Sequence, residues 1–140
     1  MGPYSLATPS SPTALELEIL GENRVRDQLS AAEELIYIGH REPALVAAGA
    51  ALEGALRLSA GGVAGPRASA PALLEALLAL RSLDDREYDL LYEALEARDR
   101  LVQGYAPERG TVDPERICHV LSIVVRLLED CGSDESRTST

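Results

Sequence analysis

From Glu22 to Asp130 the apolar residues recur every three or four positions, and the runs are bounded by residues that start or stop helices. That combination of period and punctuation leaves few folds open. A spacing of 3.6 gathers such residues on one side of a helix and would scatter them over both faces of a strand. Val25, Leu29, Ala32 and Ile36 form one stripe between Glu22 and Ile38. Leu45, Gly49, Leu52 and Leu56 form a second, on a helix predicted to begin at Pro43 and to end near Leu58. Ser69 with Pro71 opens a short helix to about Leu80. Asp84 caps a long one to about Gly104, and Asp113 with Pro114 starts the last, to about Asp130. In that last helix Ile117, Val120, Leu121, Val124, Leu127 and Leu128 make a wide apolar band. A capping box from Thr13 to Glu16 allows an earlier first helix, although "LELEI" alternates with period two and Gly21 interrupts it. No strand pattern or internal repeat competes. The expected architecture is an all-α antiparallel bundle of four to five helices.

With 140 residues, 46% of them hydrophobic, the chain has material for one core. Five Tyr and no Phe or Trp mean that aliphatic side chains must fill it, and the small side chains of "VAAGAA" let a second helix approach closely. The folded domain is expected over 13–131, with disordered tails at 1–12 and 132–140, both rich in small polar residues. Residues 59–69, "SAGGVAGPRAS", read as the longest connector. They lack the Gly-Lys-Ser/Thr sequence of a phosphate-binding loop.

A net charge of −10 repels nucleic-acid backbones and anionic lipid, so extensive non-specific binding is not expected, while a local arginine pocket remains open. No stretch of about 18 apolar residues is seen, and the N-terminus has neither a signal-peptide pattern nor a myristoylation pattern. The two cysteines, Cys118 and Cys131, lie too far apart on one helix to pair, which suits a reduced, cytoplasmic protein. They also show no metal-ligand spacing with a histidine, so no zinc and no cofactor are expected.

The unusual residue is Arg98. On a helix advancing 100° per residue, Leu91, Ala94, Leu95, Leu101, Val102 and Tyr105 fall within about 60° of it, which places the guanidinium in the middle of an apolar face. Such a group needs a carboxylate, carbonyl oxygens, a bound anion or a wet crevice. An ordinary structural arginine, paired with a glutamate of a neighbouring helix, meets that need. Glu53 is a conceivable partner, although Arg57, one turn further on, is its nearer match.

The stretch "RDRLVQGY" resembles the signature of the HEPN domains (higher eukaryotes and prokaryotes nucleotide-binding), small all-α bundles that often dimerise. That signature is an arginine, a polar residue, a few mostly apolar residues and then a histidine. Here Arg98 and Asp99 match, Gln103 stands in the histidine's place, and Tyr105 occupies the tyrosine position of the HepT toxins. The resemblance covers roughly Glu22 to Asp130 in helix count and order. It implies a homodimer whose ligand site is built from Arg98, Gln103 and Tyr105 around RNA or a nucleotide, in a bacterial defence or toxin–antitoxin system. It also implies a nucleotidyltransferase-type antitoxin able to modify Tyr105.

In active members the arginine balances phosphorane charge and the histidine moves protons, without metal. Gln103 cannot titrate, so acid–base catalysis worth about 10²–10⁴-fold should be lost. The expectation is a domain that binds without cleaving. A weak metal-independent endoribonuclease with another proton carrier and a purely structural interaction bundle are the alternatives. His119 falls on the polar side of the last helix with Glu115, Ser122 and Arg126, and His40 falls in a break between helices, so neither replaces the missing histidine.

Overall fold

The computed structural model of the chain describes residues 14–107, 110 and 112–138. These form five α-helices: α1 (Ala14–Tyr37), α2 (Arg41–Ala64), α3 (Ala70–Ala79), α4 (Asp85–Val102) and α5 (Pro114–Thr138). The expected tail at 1–12 and the cap at Thr13 lie outside the described residues.

Three helix starts follow the sequence signals. Ser69 accepts a hydrogen bond from the Ala72 N–H, and Asp113 accepts one from the Glu115 N–H. Asp84 and Glu87 form a reciprocal capping box, each side chain accepting the other's backbone N–H. Helix ends deviate more. α1 runs through Gly21 and the period-two stretch as one helix. α2 continues past Leu58 to Ala64, absorbing part of the expected connector, because Ala60 is fully buried and Ser59 Oγ lies 3.4 Å from Cys131 Sγ on α5. Tertiary packing here overrides the helix-weakening glycines. α5 likewise extends beyond Asp130 to Thr138, into the stretch expected to be a tail.

α1 and α2 are antiparallel, with Gly21 opposite Leu58 and Val25 opposite Gly54. α4 and α5 are also antiparallel, since Glu87 pairs with Arg126 and Glu93 with Arg116. α2 and α5 run the same way: Leu45 lies beside Ile117 and Val120, and Ser59 beside Cys131. The bundle is therefore a four-stroke up-and-down arrangement of α1, α2, α4 and α5, with the short α3 inserted before the third stroke. The two parallel strokes, α2 and α5, pack across the middle.

The core is aliphatic throughout, centred on Leu45, Leu52, Leu56, Leu73, Leu74, Leu77, Leu91, Ile117, Val124 and Leu127. All six band residues of α5 are buried inside the single chain, so a dimer would have to use a different surface. By length and composition α2 is apolar enough to cross a bilayer, which corrects the expectation of no such segment. In the bundle it is the central helix, touching α1, α3, α4 and α5.

At the join between α3 and α4, Arg126 of α5 donates to Glu87 and to the Ser82 carbonyl. The Arg126 hydrogen bond holds the Glu87 carboxyl below its ordinary range, against the opposing effect of partial burial. The Asp84 N–H adds to the lowering. This clamp ties the C-terminal helix to the corner between α3 and α4.

Candidate functional site

The capping box at Asp84 fixes where α4 starts, and burial of Leu91, Ala94, Leu95 and Ala97 fixes which way it faces. Arg98 is thereby turned toward α2, at the edge of the core rather than its centre, with a side chain only 14% exposed. The approach is close because position 49 is glycine. A Cβ there would stand 2.8 Å from Arg98 Cγ, 3.1 Å from Cβ and 3.2 Å from Cδ. The small-residue stretch thus accommodates the aliphatic stem of an arginine.

Two carboxylates meet the guanidinium. Nε donates to Asp99 Oδ1 at 2.9 Å, and Nη2 reaches Glu53 Oε1 at 3.5 Å. Glu53 therefore faces Arg98 and not Arg57, which corrects the expected helix-internal pair. Arg57 instead turns outward and donates to the Ala68 carbonyl at 3.1 Å, tying α2 to the segment before α3.

Beyond these pairs Arg98 borders an open cleft of about 320 Å³ between α1, α2 and α4. Arg24 and Gln28 enter it from α1, and Glu53 and Arg57 from α2. Gly21, Val25, Ala50, Gly54 and Leu58 complete its walls. Three arginines against one glutamate give the lining a formal charge of +2 in a chain of net −10. Gly54 keeps the floor narrow, since a Cβ there would meet Val25 Cγ2 at 2.6 Å. Arginines of this kind suit the planar, multidentate recognition of phosphate or carboxylate oxygens.

The other motif residues lie apart from this cleft. Gln103 is the exposed C-cap of α4, and its N–H donates to the Asp99 carbonyl. The Gly104 N–H bonds the Leu101 carbonyl, and the Tyr105 N–H bonds the Arg100 carbonyl at 2.8 Å, with Gly104 at φ 92°. This pair of bonds is a Schellman stop, and it accounts for the glycine at position 104 by local helix geometry alone. Since the helix ends at Val102, the apolar face does not continue as the 100° wheel implies. Val102 is 68% exposed and Tyr105 61%, neither of them in the core.

His40 is exposed at the N-cap of α2 without capping through its side chain, and His119 is exposed on α5. Neither lines the Arg98 cleft. No cluster of His, Cys, Asp and Glu suited to a metal occurs among the described residues.

Arg24 and Gln28 carry no mark in the sequence beyond position, and Arg57 is marked there only as a match for Glu53 and not as a site residue. Arg24 and Gln28 flank Val25 on α1, one turn apart, just off the buried stripe. Comparison with protein-family models, curated proteins and solved structures finds no match.

Proposed function

We propose that this chain is a HEPN-like domain that binds nucleotide or RNA phosphate at the Arg98 cleft without cutting it, as a regulatory component of a bacterial cytoplasmic defence or toxin–antitoxin system. The observation that carries this reading is an arginine-lined cleft with no histidine on its walls. Three guanidiniums supply fixed positive charge and directed donors for a phosphate. A phosphodiester cleaved through its own 2′-hydroxyl needs in addition a group that takes and returns protons. The carboxylate that converges on Arg98 from α2, Glu53, is engaged as its counter-ion, and Gln103 carries no titratable proton.

The dimer implied by the resemblance would join two copies through the exposed Val102 at the end of α4, leaving Tyr105 outside the interface, rather than through the band of α5. A nucleotidyltransferase-type partner would find the Tyr105 hydroxyl accessible there.

One observation favours a second reading. Arg98 already has two carboxylates, as an ordinary structural arginine would. Arg98→Met separates the two readings, because it keeps the stem over Gly49 and removes the charge. Equilibrium titration of wild type and Arg98→Met with nucleotides and short RNAs is expected to show binding only in wild type, with both proteins folded. Folded wild type that binds neither leaves the structural reading standing. Incubation with single-stranded and structured RNA is expected to leave the RNA intact. Cleavage by wild type that Arg98→Ala abolishes would instead establish the ribonuclease alternative.

A further inference from the structure

The three arginines of the cleft are unequally committed. Arg98 is held by Glu53 and Asp99, and Arg57 gives one N–H to the Ala68 carbonyl. Arg24 makes no ion pair among the described residues. Each guanidinium carries five N–H donors, so Arg24 and most of the donors of Arg57 are free to face a ligand. With Glu53 displaced, the three arginines and the Asp99 that stays on Arg98 sum to +2, which matches a terminal phosphate monoester. Such a group carries about −1.5 to −2 near pH 7 and offers three acceptor oxygens. A phosphodiester within an RNA strand has a single negative charge and two free oxygens, and fits less well. The volume of about 320 Å³ lies at the lower end of small-molecule sites, and Ala50 and Leu58 give the α2 wall an apolar surface on which a nucleoside can lie.

We infer that the cleft is a site for one nucleoside monophosphate, its phosphate monoester gripped by Arg24, Arg57 and Arg98, with Glu53 as an internal counter-ion that the phosphate displaces. This rests on the preceding reading of Arg98 as an anion-facing residue and narrows its ligand. Glu53 offsets part of the positive charge of the three arginines and opposes an incoming anion, so removing its charge improves binding. Because Arg57 also ties the segment before α3, a phosphate that draws its guanidinium inward frees the Ala68 carbonyl.

The test is calorimetric titration of the full chain at pH 7.5 with adenosine monophosphate, inorganic phosphate, adenosine and the dinucleoside monophosphate ApA, which holds only a diester. Adenosine monophosphate is expected to bind most tightly, phosphate more weakly, and adenosine and ApA weakest. Arg24→Ala, which removes no ion pair or hydrogen bond within the described residues, should weaken adenosine monophosphate about tenfold, the scale of a charge-assisted hydrogen bond. Glu53→Gln should tighten it about two- to fivefold, the scale of a partly exposed ion pair. Binding of ApA as tight as that of adenosine monophosphate, or no response to Arg24→Ala, would overturn the monoester site. An unchanged affinity in Glu53→Gln would overturn the counter-ion role. If wild type binds RNA or nucleotide and loses it in Arg98→Met, yet ignores Arg24→Ala and Glu53→Gln, this inference fails while the broader reading stands. If nothing binds wild type, both fail.

Discussion

Replacing Gly49 by alanine tests whether the stem of Arg98 is seated as closely on α2 as the geometry says. In an open helical position Gly→Ala stabilises by about 1 kcal/mol, because alanine loses less backbone entropy. Gly61, also within α2, has nothing within 4 Å of an added Cβ and serves as the internal reference. At Gly49 the new methyl meets Arg98 Cγ at 2.8 Å and Cδ at 3.2 Å, so the stem must shift, at the roughly 1–3 kcal/mol typical of overpacking. The two effects combine to a net loss of about 0–2 kcal/mol at Gly49, against a gain of about 0.5–1 kcal/mol at Gly61. In an Arg98→Ala background the two closest stem atoms beyond Cβ are gone and only the 3.1 Å contact to Cβ remains. Gly49→Ala should then be neutral or stabilising, giving a coupling of about 1–2 kcal/mol between the sites. Urea denaturation of the four proteins of the cycle, with Gly61→Ala alongside, reads this directly. Equal stabilisation at Gly49 and Gly61 in the wild-type background, with no coupling to Arg98, would refute the close seating and the cleft geometry that depends on it.

At the end of α3, Arg81 holds φ 61° in a Schellman stop closed by the Arg81 and Ser82 N–H groups, a conformation that suits glycine. Arg81→Gly should raise stability by about 1 kcal/mol in urea denaturation, and destabilisation would show that the arginine side chain has a structural task there. Glu87, held below its ordinary pKa by Arg126, contributes stability that is fully present above the unfolded value, near 4.5, and is lost as pH falls through the lower folded value. The stability advantage of wild type over Glu87→Gln should therefore be constant above about pH 5 and shrink below it. An advantage that persists unchanged in acid would count against the clamp. Sedimentation at micromolar concentration should give twice the 15.0 kDa chain mass, reverting to 15.0 kDa in Val102→Asp. Wild type sedimenting as a monomer would remove the dimer.

Helix identity and the core stripes were legible because period and caps are local properties. The stripes on Val25, Leu45 and Ile117 all point inward, and the capping residues Ser69, Asp84 and Asp113 all act as read. Helix ends were less legible where a distant contact decides them, as Cys131 does for α2 at Ser59. At the site, the sequence marked Arg98 as the residue needing explanation but misassigned what surrounds it. A helical wheel shows which residues share a face and says nothing of which residue opposes it, so it left Glu53 a conceivable partner of Arg98, ranked behind its pairing with Arg57, and could not set Arg98 over Gly49. The wheel also carried the helix past its stop and so put Tyr105 on a face that does not exist. Arg24 and Arg57 become site residues only when α1 and α2 are laid side by side.

The most direct test of an anion site centred on Arg98 is calorimetric titration of adenosine monophosphate into wild type and Arg98→Met, both shown folded by thermal melts. Saturable binding to wild type is expected with a Kd of about 0.1 mM or tighter, and binding to Arg98→Met at least tenfold weaker. Equal affinities in the two proteins, or no binding to wild type at millimolar nucleotide, would contradict such a site.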